Sequence, residues 1–182
     1  TKVLGIRDCS VQRDKQKVFE ESGSTMLPEN LHQEVLACTA RLADEVGYVG
    51  AGTVEFIYDL ASNAVYFMEM NTRLQVEHPV TEWVSGIDIV SEQFRIAAGE
   101  SIAHLQPQSL GYAIEARINA ERIQFDNNGE LNFKPHPGRV VACNFPNEEG
   151  VEVIATVGEG KFVSPFYDSM VAQVIVHATD RQ

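Results

Sequence analysis

Glu69-Met-Asn-Thr-Arg-Leu-Gln-Val-Glu-His-Pro-Val-Thr-Glu82 is the stretch on which a reading of this chain turns. Glu69, Asn71, Arg73, Gln75 and Glu77 fall on odd positions, with Met70, Thr72, Leu74 and Val76 between them. In an extended backbone successive side chains point to opposite faces, so all five polar groups would project to one side. Such a row offers carboxylates, amides and a guanidinium to one small anion or a metal-bound substrate. The competing reading is a half-exposed strand with a solvated polar face. Just upstream, Gly52–Tyr58 and Ala64–Met70 are rich in β-branched and aromatic residues, and Asp59–Asn63 between them supplies turn chemistry. A hairpin centred near Ser62 sets Glu55 directly across from Glu69. Like charges facing each other destabilise a ladder. A hard divalent cation between them removes the conflict, and Asn71 would complete an all-oxygen donor set suited to Mg²⁺, which leaves its other positions to phosphate and water. A slipped register would instead send the two carboxylates apart into solvent.

Outward from that stretch the chain divides by period. Val3–Ile6 reads as a strand, Gln12–Glu21 as a charged segment and Ser22–Thr25 as a small-residue loop. Pro28 then opens a helix whose stripe is Leu31, Val35, Cys38, Leu42 and Val46, stopped at Gly47. After Pro79 a helical stretch runs to Ala98, broken at Gly86, with Ile87, Val90, Phe94 and Ala97 on its apolar side. Ser101–Ser109, polar and carrying Pro107, reads as a linker. Beyond it the period becomes two, with strands expected at Tyr112–Asn119, Arg139–Phe145, Val151–Val157 and Met170–Ala178. The chain opens and stops close to strands, as a cut piece of a longer protein would.

Composition narrows the function. The 182 residues carry 14 Lys and Arg against 26 Asp and Glu, a net charge of −12, which argues against nucleic-acid binding. The apolar share of 44% and charged share of 22% are those of an ordinary globular chain. No apolar run approaches the ~20 residues of a membrane span. Cys9, Cys38 and Cys143 are odd in number and form no Cys-x-x-Cys pair, which favours a reducing compartment over a disulfide framework or zinc site. No G-x-S-x-G, P-loop or G-x-G-x-x-G is present, so nothing points to a serine hydrolase, a P-loop NTPase or a Rossmann site. Arg117 has Glu115 and Asn119 on its strand face; it is either an oxyanion holder or a salt-bridged surface residue. Lys15 and Lys17 belong either to a solvated loop or to an anion site. His78 lacks metal-type spacing and reads as structural.

Arg7-Asp-Cys-Ser-Val-Gln-Arg13, Gln16-Lys-Val18, Gly50-Ala-Gly-Thr-Val-Glu55, EMNTRLQVEHPVTE at 69–82, Glu115-Ala-Arg-Ile-Asn-Ala-Glu121 and Pro165-Phe-Tyr-Asp-Ser-Met170 together resemble biotin carboxylase, the ATP-grasp subunit or domain of biotin-dependent carboxylases. The resemblance implies an α+β fold: the second half of an ATP-grasp domain over 1–100, a linker at 101–109, and a partial antiparallel β C-terminal subdomain over 110–182. It implies that Glu55 and Glu69, with Asn71, hold Mg²⁺ or Mn²⁺ against ATP phosphates. Gln12 and Lys15, with Glu55 and Glu69, would contact the nucleotide. Lys17, Arg73, Gln75 and the Val76 backbone would hold bicarbonate. Glu77 would be the catalytic base, Arg117 would stabilise the ureido oxygen of biotin, and Arg73 on bicarbonate would count with them as catalytic. It also implies a biotin carboxyl carrier protein or domain, a carboxyltransferase component and a homodimer as partners, in the cytoplasm or the mitochondrial matrix, with no nucleic acid or membrane. The alternatives are a non-catalytic binding or dimerisation fragment and another ATP-grasp ligase of carbamoyl-phosphate type. Two segments depart from the family pattern: Asp14-Lys15, which bears on the Lys15 contact, and Gln124–Pro135, which is longer than usual.

Overall fold

The computed structural model describes residues 1–181. In chain order the elements are β1 (Arg7–Asp8), β2 (Gln12–Arg13), β3 (Gln16–Lys17), β4 (Phe19–Ser22), α1 (Glu29–Glu45), β5 (Thr53–Asp59), β6 (Ala64–Asn71), α2 (His78–Ser85), α3 (Ile89–Ala97), β7 (Tyr112–Asn119), β8 (Glu121–Phe125), β9 (Leu131–Pro135), β10 (Gly138–Arg139), β11 (Val151–Ala155), β12 (Phe162–Val163) and β13 (Met170–Ala178). This is an α+β chain. No helix among the described residues is long and apolar enough to cross a membrane.

The central element is a five-stranded antiparallel sheet in the order β1-β4-β7-β13-β11. It joins the two ends of the chain, since β4 pairs with β7 across nearly a hundred residues. Along one face lie Glu20 and Ser22 of β4, Ala113 and Glu115 of β7, and Gln173 and Ile175 of β13, all buried. α2 packs on this face. Its Trp83 stacks on His177 of β13 at 5.0 Å and donates from Nε1 to Glu152 of β11 at 2.7 Å, while Val80 is wholly buried. Pro79 at the first turn of α2 costs no intrahelical hydrogen bond, and Gly86 stops the helix at φ 70° in the left-handed region. Asp88 then caps α3 by accepting from the Ser91 N–H at 2.8 Å.

The β5–β6 hairpin packs its Phe56–Phe67 edge-to-face pair toward Val35, Cys38 and Leu42 of α1, around a cavity of about 300 Å³. Its turn is held by Asp59, which accepts from Ala61 N at 3.0 Å, and by Asn63 at φ 48°. From that turn the pairing runs evenly to Phe56↔Phe67, a register that would set Glu55 against Met68. A one-residue bulge at that point brings Glu69 opposite Glu55 instead.

Several expectations need correction. Val3–Ile6 is not a strand; pairing begins at Arg7, across from Ser22. The strand expected over Arg139–Phe145 shrinks to Gly138–Arg139, paired with β12. Residues 121–135 fold as the β8–β9 hairpin, with Asp126 Oδ1 accepting from Asn128 N and Glu130 N at 2.8 Å each in its turn. The segment 101–109 contains a 3₁₀ turn at Ile102–His104, and Gln108 N donates to Ser85 O at 3.0 Å, tying it to the end of α2. The extended polar row ends at Asn71, and residues 72–77 leave the ladder before α2 begins.

Ile175 lies in the middle of the sheet, between Glu115 and Glu152 in register, with no exposed surface. Ile175→Ala is expected to cost about 2–4 kcal/mol of stability in chemical denaturation. Val141→Ala, at an 83% exposed position, should stay within about 0.5 kcal/mol.

Candidate active site

Glu55 and Glu69 stand directly opposite on β5 and β6. Asn71, two residues beyond Glu69 on the same strand face, places its Nδ2 within reach of both, donating to Glu55 Oε1 at 3.2 Å and Glu69 Oε1 at 3.0 Å. Gln75 Nε2 also donates to Glu55 Oε1, at 2.8 Å. One amide nitrogen thus marks a point on which two carboxylate oxygens converge. That oxygen set suits Mg²⁺ or Mn²⁺, with the remaining positions left to phosphate and water. No group of three or more His, Cys, Asp or Glu side chains is gathered for a metal among the described residues.

Beside this pair lies a buried ion network. Lys17 comes from β3, the return strand of a tight hairpin whose turn residues Asp14 and Lys15 sit at φ 49° and 66°. Its Nζ lies 2.6 Å from Glu77 Oε1 and 3.4 Å from Glu55 Oε1. Arg117 of β7 grips the other oxygen of Glu77 at 2.9 Å. Glu77 is only 3% exposed. Burial pushes its carboxyl up, but the Lys17 hydrogen bond and charge, its own backbone N–H and Arg117 outweigh that and hold it below the usual carboxylate range. For Lys17 burial works downward, and the hydrogen bond to Glu77 and the charges of Glu20 and Glu77 more than reverse it. Both partners are therefore ionised at neutral pH.

Arg7 of β1 spans the site from beneath. Its Nε donates to Glu20 at 2.7 Å, its Nη1 to Thr81 Oγ1 of α2 at 2.8 Å, and its Nη2 to Gln75 Oε1. With Gln75 Oε1 taken by Arg7, its Nε2 is turned toward Glu55. Glu20 and Glu115 are cross-strand partners on β4 and β7, each nearly fully buried, and each keeps one buried oxygen without a hydrogen-bond partner. Burial, opposed by Arg7 and Lys17 for Glu20 and by Gln173 and Arg117 for Glu115, raises both to about 7.

The structure brings Lys17, Glu55, Glu69, Asn71, Gln75, Glu77 and Arg117 into one linked cluster. Arg73 is exposed at its rim, with Nη2 toward Asn71 Oδ1 at 3.4 Å and Nη1 to Leu74 O at 3.2 Å. Val76 is exposed, and its carbonyl accepts from Gln173 Nε2 at 2.7 Å. Gln12 and Lys15 are exposed on the β2–β3 hairpin; Gln12 donates to Cys9 O at 2.9 Å. Arg7, Glu20, Glu115 and Gln173 complete the network without having been singled out by the sequence reading. Their signal was an inverted alternation, with Phe19 outside and Glu20 and Ser22 inside, which only a partner sheet face makes readable.

Two family models divide the chain: the carbamoyl-phosphate synthase L chain ATP-binding domain matches residues 2–105, and the biotin carboxylase C-terminal domain matches 115–182. The ATP-binding model takes in more than half of the chain, and the two together define a protein of the ATP-grasp class. The chain belongs to the biotin carboxylase family and spans about two-fifths of the length of the curated relatives it matches. It is 46% identical over 180 residues to biotin carboxylase 1 of Bacillus subtilis, covering 98% of this chain and 39% of that protein. It is also 46% identical over 180 residues to the biotin carboxylase of Pseudomonas aeruginosa, covering 98% of this chain and 38% of that one. The biotin carboxylase domain dimer of Hydrogenobacter thermophilus 2-oxoglutarate carboxylase, solved with MgADP, ADP and bicarbonate, superposes at TM-score 0.86 with 42% identity, over 97% of this chain and 38% of that one. Biotin carboxylase from Campylobacter jejuni, solved as a β,γ-ATP complex, gives TM-score 0.89 at 38% identity, over 98% and 38%.

Glu20 and Glu115 keep their protons up to about pH 7 when folded, while the unfolded chain releases them near 4.5. Between those values the folded state binds more protons, so their contribution to stability declines as pH rises through the window. Glu115→Gln should therefore lose about 1–2 kcal/mol less than wild type between pH 5 and pH 7 in urea unfolding. The Glu77 pairing runs the other way: it is present above 4.5 and lost as pH falls through the lowered value.

Proposed function

We propose that this chain supplies the metal-, bicarbonate- and biotin-handling groups of a biotin carboxylase, which carboxylates biotin on a carrier protein at the expense of ATP. The observation that carries the reading is the grip of Lys17 and Arg117 on opposite oxygens of Glu77, at 2.6 and 2.9 Å, beside the facing Glu55–Glu69 pair. Residues 1–100 would be the second half of the ATP-grasp domain and 110–182 the C-terminal subdomain, with 101–109 between them; the shared sheet makes the two one folded body.

Glu55, Glu69 and Asn71 would hold Mg²⁺ or Mn²⁺, which supplies charge neutralisation between the β- and γ-phosphates of ATP. Gln12 and Lys15 would reach the nucleotide from the β2–β3 hairpin. Bicarbonate would sit on Lys17, Arg73, Gln75 and the Val76 backbone. An anion there competes with Glu77 for the Lys17 N–H groups, which raises the proton affinity of Glu77 at the moment a base is needed. Glu77 takes the bicarbonate proton, and an oxygen of the resulting carbonate attacks the γ-phosphorus, with ADP as the leaving group, giving carboxyphosphate. Carboxyphosphate breaks into CO₂ and phosphate, phosphate removes the biotin N1′ proton, and Arg117 stabilises the ureido oxygen while N1′ attacks CO₂. The carrier protein or domain, a carboxyltransferase component and a second copy would be the partners, in the cytoplasm or the mitochondrial matrix. The biotin carboxylase match over 115–182 favours this reading over a carbamoyl-phosphate type of ligase.

The test is bicarbonate-dependent ATP cleavage with free biotin. The chain spans about two-fifths of the length of its curated relatives, so it should be inactive alone and active when extended to their length. In the extended protein Glu77→Ala should lower bicarbonate-dependent kcat by about 10²-fold or more while nucleotide binding persists. Glu69→Gln should weaken the apparent affinity for Mg²⁺ in turnover with little change in thermal stability. Robust cleavage by the 182 residues alone would overturn the expected inactivity of the chain by itself, and an unchanged metal dependence in Glu69→Gln would overturn the metal assignment.

A further inference from the structure

Gln173 and Arg117 are directly opposed on β13 and β7. From these two positions the sheet reaches two consecutive residues of the segment before α2. Gln173 Nε2 donates to the Val76 carbonyl at 2.7 Å, and Arg117 Nη2 donates to the Glu77 carboxylate at 2.9 Å. Gln173 Nε2 also donates to Glu115 Oε2 at 3.0 Å, so its amide is fixed from the sheet side as well. It is 7% exposed.

The segment it holds has no ladder of its own, because residues 72–77 lie between the end of β6 and the start of α2. Beyond the turn in which His78 N donates to Gln75 O at 3.3 Å, its geometry comes from side chains. The Val76 carbonyl and the Glu77 N–H belong to one planar trans peptide and point in opposite directions. Fixing the carbonyl onto Gln173 therefore fixes the N–H, which turns to the Glu77 carboxylate itself. We infer that Gln173 is a positioning residue: by holding the Val76 carbonyl from the sheet it sets the orientation of the Val76–Glu77 peptide, and with Arg117 it forms a two-pronged clamp that aims the base at the bicarbonate position. This role rests on the proposed reaction and adds to it a group that touches neither substrate nor metal.

The experiment uses the protein extended to the length of its relatives. Q173M keeps the volume and removes both donated hydrogen bonds. It should raise the bicarbonate KM about tenfold with the ATP KM close to wild type, beside some loss of thermal stability from the hydrogen bonds removed at Val76 and Glu115. An unchanged bicarbonate KM, or an equal rise in the ATP KM, overturns the role. Q173K is the second arm: an ammonium at this position can still donate to the Val76 carbonyl and to Glu115, so its bicarbonate KM should stay closer to wild type than that of Q173M. An equal rise in the two variants overturns the clamp. A wild-type protein without bicarbonate-dependent cleavage would overturn the proposed reaction itself, a result visible before any variant is compared.

Discussion

The Lys17 ammonium, set between Glu77 and Glu55, is the contact on which the rest of the site depends. It joins three pieces of chain with little else in common: the tight β2–β3 hairpin, the β5 strand and the irregular segment before α2. Arg7 and Arg117 add two more cations against Glu20, Glu77 and Glu115. Breaking one member of such a buried set leaves an uncompensated charge, which costs far more than the intact pair contributes. Burial meets the surplus of acid by raising Glu20 and Glu115 to about 7. Near neutral pH part of that surplus is held as protonated carboxyl, and the cluster approaches charge balance.

The sheet that carries the cluster is organised around it. Its inward face holds Glu20, Glu115, Arg117 and Gln173 where an ordinary sheet would place aliphatic residues. Ala113 and Ile175 supply the apolar remainder, and α2 closes the face with Val80 and Trp83. Many of these polar groups find partners, since Ser22 Oγ accepts from Ala113 N at 2.9 Å and Gln173 serves Glu115 and Val76 together, while Glu20 and Glu115 each keep one oxygen unpaired. The face is rigid because its hydrogen bonds depend on one another. Turning Gln75 away from Arg7, for example, would strand both its own amide and the guanidinium.

Local chemistry made much of this readable in the sequence. The Gly86 stop, the β5–β6 hairpin and the β7 and β13 strands follow from periodicity and turn residues; the α1 stripe is buried at Leu31 and Val35 but not at Val46, which is exposed beyond the helix end. The facing of Glu55 and Glu69 was reached from a turn centre one half-step away from the real one, and the bulge at Met68 made up the difference. What stayed hidden is non-local. The β4–β7 pairing joins residues nearly a hundred apart, and it alone explains why β4 buries Glu20 and exposes Phe19. Alternation carried the polar row correctly to Asn71. Beyond that point the convergence of Gln75 and Glu77 on the cluster comes from tertiary contacts with β3, β5 and β7, which no period records. Val3–Ile6 failed for the opposite reason: its strand-like composition meets a neighbouring edge only at Ile6, whose carbonyl accepts from Gly23 N at 2.7 Å just before β1 begins.

The bulge shows how geometry and chemistry meet here. A regular ladder disfavours two carboxylates face to face, and the register set by the turn would have avoided it by placing Met68 across from Glu55. The extra residue imposes the unfavourable pairing and then satisfies it with hydrogen bonds from Asn71 and Gln75. A structural purpose is served equally well without the bulge, since the hairpin already has its turn, its Phe56–Phe67 contact and its packing on α1. The arrangement makes sense only if the converging oxygens are wanted for themselves. Within a few ångströms of them sits the Glu77 carboxylate, held by Lys17 and Arg117. In the proposed reaction, cations that restrain Glu77 would release it on binding bicarbonate, so one set of contacts would supply both the stability of the site and the timing of its chemistry.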